Sequence, residues 1–315
     1  MRLGEVASVT DPGRRRRRNE DAYVVRPPLF AVADGMGGAR AGEIASRLAA
    51  EALREGAAPG NGGEEQVGAL IQAANQRIFE RSSADETASG MGTTITVALV
   101  EDGIVRIGHV GDSRAYLIRD GKLEQLTEDH SLVAELLRNG KLSPEEAETH
   151  PQRSVITRAL GTDPDVDADT FSVEAHEGDV FLLCSDGLTT MVDDEEILRT
   201  IEASRDDLER AARELVALAN RGGGEDNITV VFFTIAADDA PDVESTAELT
   251  LPAEVEAAEE DDEDTLTELD GIPTLQPAAE PPAPGRGRSV LWAALVALLL
   301  LLLAAAVLVV WQYLL

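Results

Sequence analysis

Four short acidic motifs, far apart along the chain, constrain it most. They are Ala33-Asp34-Gly35-Met36-Gly37-Gly38, Val110-Gly111-Asp112-Ser113-Arg114, Cys184-Ser185-Asp186-Gly187 and Gly223-Gly224-Glu225-Asp226-Asn227. Three of them follow or adjoin short apolar runs. A fold that ends buried strands in aspartates gathers carboxylates at one point. Carboxylates gathered without histidine or cysteine partners suit hard cations such as Mg²⁺ or Mn²⁺. His109, His130, His150 and His176 have no paired metal-ligand spacing and read as structural. Cys184 is the only cysteine, which rules out an intrachain disulfide and a zinc cysteine cluster and fits a reducing compartment. A thiol phosphatase needs an arginine six places after its cysteine, and Thr190 stands there, so Cys184 reads as a buried strand residue. No Gly-x4-Gly-Lys phosphate loop is present.

Between these motifs the chain alternates strand-like and helix-like segments. Strands are expected at Val6–Thr10, Tyr23–Val25 and Leu29–Val32, then at 93–100, 104–110, 114–119 and 122–127. Asp120-Gly121 between the last two is a hairpin-turn signal. Helical spacing runs from Arg40 to Glu55, with Ile44, Leu48, Ala52 and Leu53 on one side, and from Glu64 to Arg81, with Val67, Leu70, Ile71, Ala74 and Ile78. Ser131–Asn139 reads as a short helix ending at Gly140, and Ser143-Pro144 starts another. Strands return at 170–173 and 179–184. Asp193 or Asp194 caps a helix through Ile201, another spans 206–220, and Ile228–Ile235 is a final apolar strand. The order is that of an α+β fold with a mostly antiparallel sheet.

The last quarter differs. The formal charge is −32; residues 237–315 hold 16 acids and two arginines, a balance of −14, which leaves −18 for the first 236 residues. Such a surface disfavours nucleic acid, whose binding rests on basic contacts to phosphate. Residues 237–288 are acidic and proline-rich, with an unbroken Glu259–Asp264 run, and read as a disordered linker. Val290–Val310 is continuously apolar, and as a helix would span roughly 31 Å, enough to cross a bilayer. Trp292, Trp311 and Tyr313 sit near its ends like interfacial anchors. Residues 289–315 are therefore expected to form one transmembrane helix. Arg286 and Arg288 just before it place the catalytic part, residues 1–236, on the cytoplasmic side of a cell membrane. No apolar signal-peptide region is visible at Met1–Glu5.

Seven segments in order make a family resemblance plain: Asn19-Glu20-Asp21, Asp34-Gly35-Met36-Gly37-Gly38, Gly90-Met91-Gly92-Thr93-Thr94, Gly111-Asp112-Ser113-Arg114, His150-Pro151-Gln152-Arg153-Ser154, Ser185-Asp186-Gly187 and Gly223-Gly224-Glu225-Asp226-Asn227-Ile228-Thr229. Together they cover about the first 235 residues. The chain resembles the metal-dependent serine/threonine phosphatases of the protein phosphatase 2C family, in the bacterial style. The resemblance implies an antiparallel β-sandwich with helices on both outer faces. It also implies a flap over about Leu132–Leu160.

What the resemblance implies for the chemistry is specific. Asp34 bridges two ions of Mg²⁺ or Mn²⁺, the Gly35 carbonyl adds a ligand, and Asp186 and Asp226 hold one ion between them. Two such ions make a nucleophile of water at neutral pH. Glu20, Asp21 and Asn227 stand behind these ligands, and Glu20 and Asp21 position water. Asp112 helps hold a third ion with Asp186 and the Ser154 carbonyl. Of the five arginines Arg14–Arg18, Arg16 stands four residues before Glu20 and is matched to the family's phosphate clamp. Met36 stands where some eukaryotic members carry a histidine and cannot donate a proton; bacterial members commonly have methionine there. The implied reaction is hydrolysis of phosphoserine and phosphothreonine in phosphoproteins, among them bacterial Ser/Thr kinases, by a monomeric catalytic domain. Two alternatives stand beside it: an inactive, phosphate-sensing membrane scaffold, and a phosphatase for anti-sigma factor antagonists.

Overall fold

The structure, a computed structural model, describes residues 1–37, 41–56, 62–85, 88, 90–148 and 150–237. Eleven strands and seven helices are found among the described residues. Strands β1 (Arg2–Asp11), β2 (Asp21–Arg26) and β3 (Leu29–Met36) come first, followed by helices α1 (Ala41–Gly56) and α2 (Gly63–Ala84). A meander of β4 (Gly92–Thr93), β5 (Ile95–Glu101), β6 (Ile104–Val110), β7 (Arg114–Arg119) and β8 (Lys122–Gln125) leads to α3 (Leu132–Arg138) and α4 (Pro144–Glu148). Then come β9 (Asp169–Glu174), β10 (Val180–Cys184), α5 (Asp186–Thr189), α6 (Asp194–Ala203), α7 (Leu208–Gly222) and β11 (Ile228–Ala236).

The strands form two antiparallel sheets. One runs β1-β11-β10-β7-β8; the other runs β2-β3-β5-β6-β9, with β4 paired to β3. Between the sheets lies an apolar layer in which Phe233 stacks on Phe30 at 4.4 Å and on Phe181 at 4.9 Å between ring centres. A second layer joins α1 and α2 to the outer face of the β3 sheet, and a third joins α5, α6 and α7 to the outer face of the β11 sheet. This is the helix-flanked sandwich that the resemblance implies. The strands of β10 and β11 are buried on both faces, which is why they read as unbroken apolar runs.

Local rules explain most boundaries. Asp120 and Gly121 both adopt positive φ, 53° and 70°, as a tight hairpin of matching twist requires. Asp193 caps α6 by accepting from the Glu196 N–H at 2.8 Å, and Asp207 caps α7 through the Arg210 N–H at 2.8 Å. At α4 the Ser143 hydroxyl and the Glu146 carboxylate exchange bonds with each other's backbone N–H, a capping box around a five-residue helix.

The α1 face differs from its expected register. Ala45, Ser46, Ala49, Ala50 and Leu53 are fully buried, while Ile44 and Leu48 are only partly covered. Small side chains let α1 approach β3 closely: a methyl group on Gly35 would collide with the carbonyl of Gly42. No helix among the described residues is long and apolar enough to cross a membrane. The expected linker at 237–288, apart from Ala237, and the expected transmembrane helix at 289–315 lie outside the described residues.

Candidate metal centre

The acidic motifs converge at one end of the sandwich and come from both sheets. Asp34 lies near the end of β3, directly across from Asp21 in the β2–β3 register. Its backbone is fixed from the neighbouring strands. The Asp34 N–H donates to Thr94 Oγ1 at 3.0 Å, and its carbonyl accepts from the Thr94 N–H at 2.9 Å and from Thr93 Oγ1 at 2.8 Å. Asp186 opens α5, straight after β10, and Asp226 precedes β11. Asp112 occupies the turn from β6 to β7, where the chain passes from one sheet to the other.

Three carboxylate oxygens in this group are buried without a hydrogen-bond partner: Oδ1 of Asp21, of Asp112 and of Asp186. A buried oxygen of this kind is costly unless something positive meets it. The acids also raise one another. Asp34 is pushed well above the carboxylate range by burial and then by the charges of Asp21, Asp186, Asp112 and Asp226. Burial lifts Asp21 to about 7, against the opposing pull of hydroxyls from Thr229 and Ser185. Asp112 is lifted to about 7 by burial and by Asp186, and Asp186 to about 6 by burial and by Asp226. Asp34 pulls the Asp186 carboxyl the other way, against its burial and Asp226. The acids influence one another's charge as one acidic basin, yet no group of three or more that could hold a metal ion is found among the described residues. Oxygen donors alone, several of them unpartnered and held near one another, fit hard divalent cations.

Around the basin the supporting bonds are dense. Asp21 Oδ2 accepts from Ser185 Oγ at 2.8 Å and from Thr229 Oγ1 at 2.6 Å, so an acid of one sheet is held by hydroxyls of the other. Asn227 stands behind the acids and binds backbone on both sides of the arginine loop. Its Nδ2 donates to the Pro12 and Arg18 carbonyls at 3.0 and 2.9 Å, and its Oδ1 accepts from the Glu20 N–H at 2.7 Å. It thereby staples the arginine loop to the start of β11. Arg14 N–H and Arg15 N–H both donate to the Gly224 carbonyl, at 2.8 and 3.1 Å. Arg16 Nη2 meets Asp226 Oδ2 at 2.6 Å, which puts the expected phosphate clamp at the rim of the basin. Partial burial opposes its charge, but Asp226, Glu20 and Asp34 together raise its pKa. Burial raises Glu20 in turn, offset by Arg16.

Ser154 lies exposed in the turn of residues 151–154. The nearest tie from that turn is Arg153, 3.9 Å from Glu225. Cys184 is fully buried in β10 and its thiol is pushed up to about 12 by burial, as a strand residue's would be.

Several supporting residues went unnoticed in the sequence. Ser185 and Thr229 sit inside motifs already quoted, and their hydroxyls next to Asp186 and Asn227 were the available signal. His130, read only as structural, has a definite task. Its backbone N–H donates to the Gly111 carbonyl at 2.7 Å and its Nδ1 accepts from the Gly111 N–H at 3.1 Å, so it pins the turn that carries Asp112. Nε2 of the same ring lies 3.2 Å from Asp169. No local spacing announces a pairing across 19 residues.

Comparison with known proteins agrees with this geometry. The family described as "Protein phosphatase 2C" matches residues 14–220. The serine/threonine protein phosphatase PstP of Mycobacterium tuberculosis is 43% identical over 227 residues, 71% of this chain and 44% of PstP. The chain thus spans less than half the length of that relative. The serine/threonine phosphatase stp of Listeria monocytogenes is 44% identical over 233 residues, 70% of this chain and 92% of that protein. Among solved structures, M. tuberculosis PstP/Ppp superposes with a TM-score of 0.72 at 40% identity, covering 75% of this chain and 100% of that one. The PstP catalytic domain in complex with two manganese ions superposes with a TM-score of 0.69 at 38% identity, covering 75% and 99%. This chain belongs to the protein phosphatase 2C family, and the part that folds around the acidic basin is a metal-dependent phosphatase domain of that family.

Proposed function

We propose that the protein hydrolyses phosphoserine and phosphothreonine in phosphoproteins, Ser/Thr kinases among them. The observation that carries the reading is the set of three partnerless carboxylate oxygens, on Asp21, Asp112 and Asp186, at one end of the sandwich. In this reading Asp34, the Gly35 carbonyl, Asp186 and Asp226 hold two ions of Mg²⁺ or Mn²⁺, and Asp112 with Asp186 offers a place for a third. Bound there, the ions neutralise phosphate charge and make water a competent nucleophile at neutral pH. The chain's own residues do the rest. Arg16, kept charged beside Asp226, presents its planar fork to the phosphate oxygens. Ser185 and Thr229 keep Asp21 oriented, and Thr93 and Thr94 fix the backbone that presents Asp34 and Gly35. Neither Met36 nor Cys184 takes part in proton transfer.

The full chain should hydrolyse a small aryl phosphate with Mn²⁺ and stop when EDTA is added. Asp226→Asn should lose at least about 10²-fold in kcat/KM, because it removes charge from the centre of the site. Full activity in chelator overturns the reading.

The apolar run Val290–Val310, preceded by Arg286 and Arg288, supports a further part of the proposal. It tethers the enzyme to a cell membrane by a single span, with the phosphatase domain on the cytoplasmic side.

A further inference from the structure

The five arginines of residues 14–18 do not share one role. Arg15 pairs with Glu225 at 3.2 Å, Arg16 with Asp226 at 2.6 Å and Arg18 with Glu43 at 3.6 Å. Arg14 and Arg17 are exposed, and neither has an acidic partner among the described residues. That is unexpected in a chain whose first 236 residues carry a formal −18. Two cations stay unneutralised at the rim of the site, next to three others on the same loop.

The Arg14 backbone is fixed. Arg14 is held through its N–H to the Gly224 carbonyl at 2.8 Å. Its stem lies against Gly224, where a Cβ would meet Arg14 N at 2.9 Å and Cγ at 3.0 Å. Gly224 is two residues from Asp226. Arg17 adjoins Arg16, which itself touches Asp226. The loop backbone is stapled by Asn227 at Pro12 and Arg18, so a ligand need not order it on binding. An extended peptide advances about 3.3–3.6 Å per residue. Positions one to three places from a phosphorylated residue seated at Arg16 then lie about 3–11 Å away, comparable to the spacing of Arg14 and Arg17 from Arg16 along the loop. A guanidinium fork suits the paired oxygens of a carboxylate or a phosphate.

We infer that Arg14 and Arg17 form a selection site for a second anionic group flanking the phosphorylated residue of the substrate. The group is a glutamate or aspartate side chain, or a second phosphate. The inference rests on the phosphatase reading and narrows its substrates to acidic or multiply phosphorylated segments.

The test compares kcat/KM of the full chain on three phosphothreonine peptides that differ only in their flanks: glutamine, glutamate or phosphoserine. An aryl phosphate serves as the control. The unaltered protein should prefer the glutamate and phosphoserine flanks by about threefold to tenfold at low salt, mainly through KM, and the preference should shrink as salt rises. Arg14→Gln/Arg17→Gln should bring the preference to near unity while leaving the aryl phosphate and the glutamine-flanked peptide within about twofold. The two acidic peptides tell carboxylate from phosphate recognition. A preference that survives the double substitution overturns the inference, as does its absence from the unaltered protein. The loop is then a solvated one with no part in selection. Failure to cleave even the aryl phosphate would instead sink the phosphatase reading itself.

Discussion

Asp21, Asp112 and Asp186 share a condition that sets how the molecule responds to pH. Burial and neighbouring charge lift them to about 7, about 7 and about 6, whereas in an unfolded chain an aspartate titrates at about 4. Across that window the folded state binds more protons than the unfolded one. Its stability in chelator should therefore fall as pH rises from about 4 to about 7, then level off. Divalent ions take the place of those protons, so the rise in Tm on adding Mn²⁺ should be larger at pH 7.5 than at pH 5. Thermal scans at the two pH values, with and without Mn²⁺, check this; an equal rise at both would contradict it. Asp112→Asn should flatten part of the slope in chelator, since it removes one of the lifted groups.

At the scale of elements, Phe233 on β11 is the centre of the joint between the sheets. It stacks on Phe30 from β3 and Phe181 from β10 and is fully buried. Phe233→Ala should cost about 3–5 kcal/mol of stability, read from the urea midpoint, because the joint cannot collapse around the missing ring. The elements were legible in the sequence where one residue's local chemistry decides the outcome. Asp120-Gly121 announced its hairpin, Ser143-Pro144 its N-cap, and the Val67–Ile78 stripe its buried face. Asp102-Gly103, with φ of 53° and 75°, makes the same tight turn in the gap left between the strands at 93–100 and 104–110, though its Asp-Gly signal was not singled out. The four-residue α5 escaped notice because one turn is too short to show a period, and its start is disguised as the Ser185-Asp186-Gly187 motif. In α1 the large residues drew attention, yet alanines face the sheet, since close approach to Gly35 and Gly42 favours small side chains. The aspartates of the site were legible because each stands at a strand end beside a glycine, a serine or an asparagine. Ser154 was matched by motif alone, and the structure leaves it in an exposed turn. What could not be read were partnerships over long sequence distance: His130 with Gly111, Ser185 with Asp21, and Asn227 with the arginine loop.

At the scale of the whole molecule, the proposed reading separates chemistry and address along the chain. The residues that line the basin all lie before Ala237, and the apolar run begins at Val290. The intervening stretch is acidic and rich in proline. Deleting residues 289–315 should leave turnover of a soluble phosphopeptide unchanged and slow dephosphorylation of a membrane-inserted kinase in vesicles, because tethering raises local concentration without new contacts. Equal rates on the vesicle substrate with and without the segment would show that it does not direct the enzyme.

The cross-sheet grip on Asp21 has a mechanical consequence. The sandwich is built like a book whose spine is the Phe30, Phe233 and Phe181 stack and whose fore-edge is the acidic rim. Hydroxyls from one cover hold an acid of the other, while like charges along that edge press the covers apart. A small cation set into the rim turns the repulsion into a clasp. In the proposed reading, ions bound there would stiffen the joint between the sheets as well as serve the reaction.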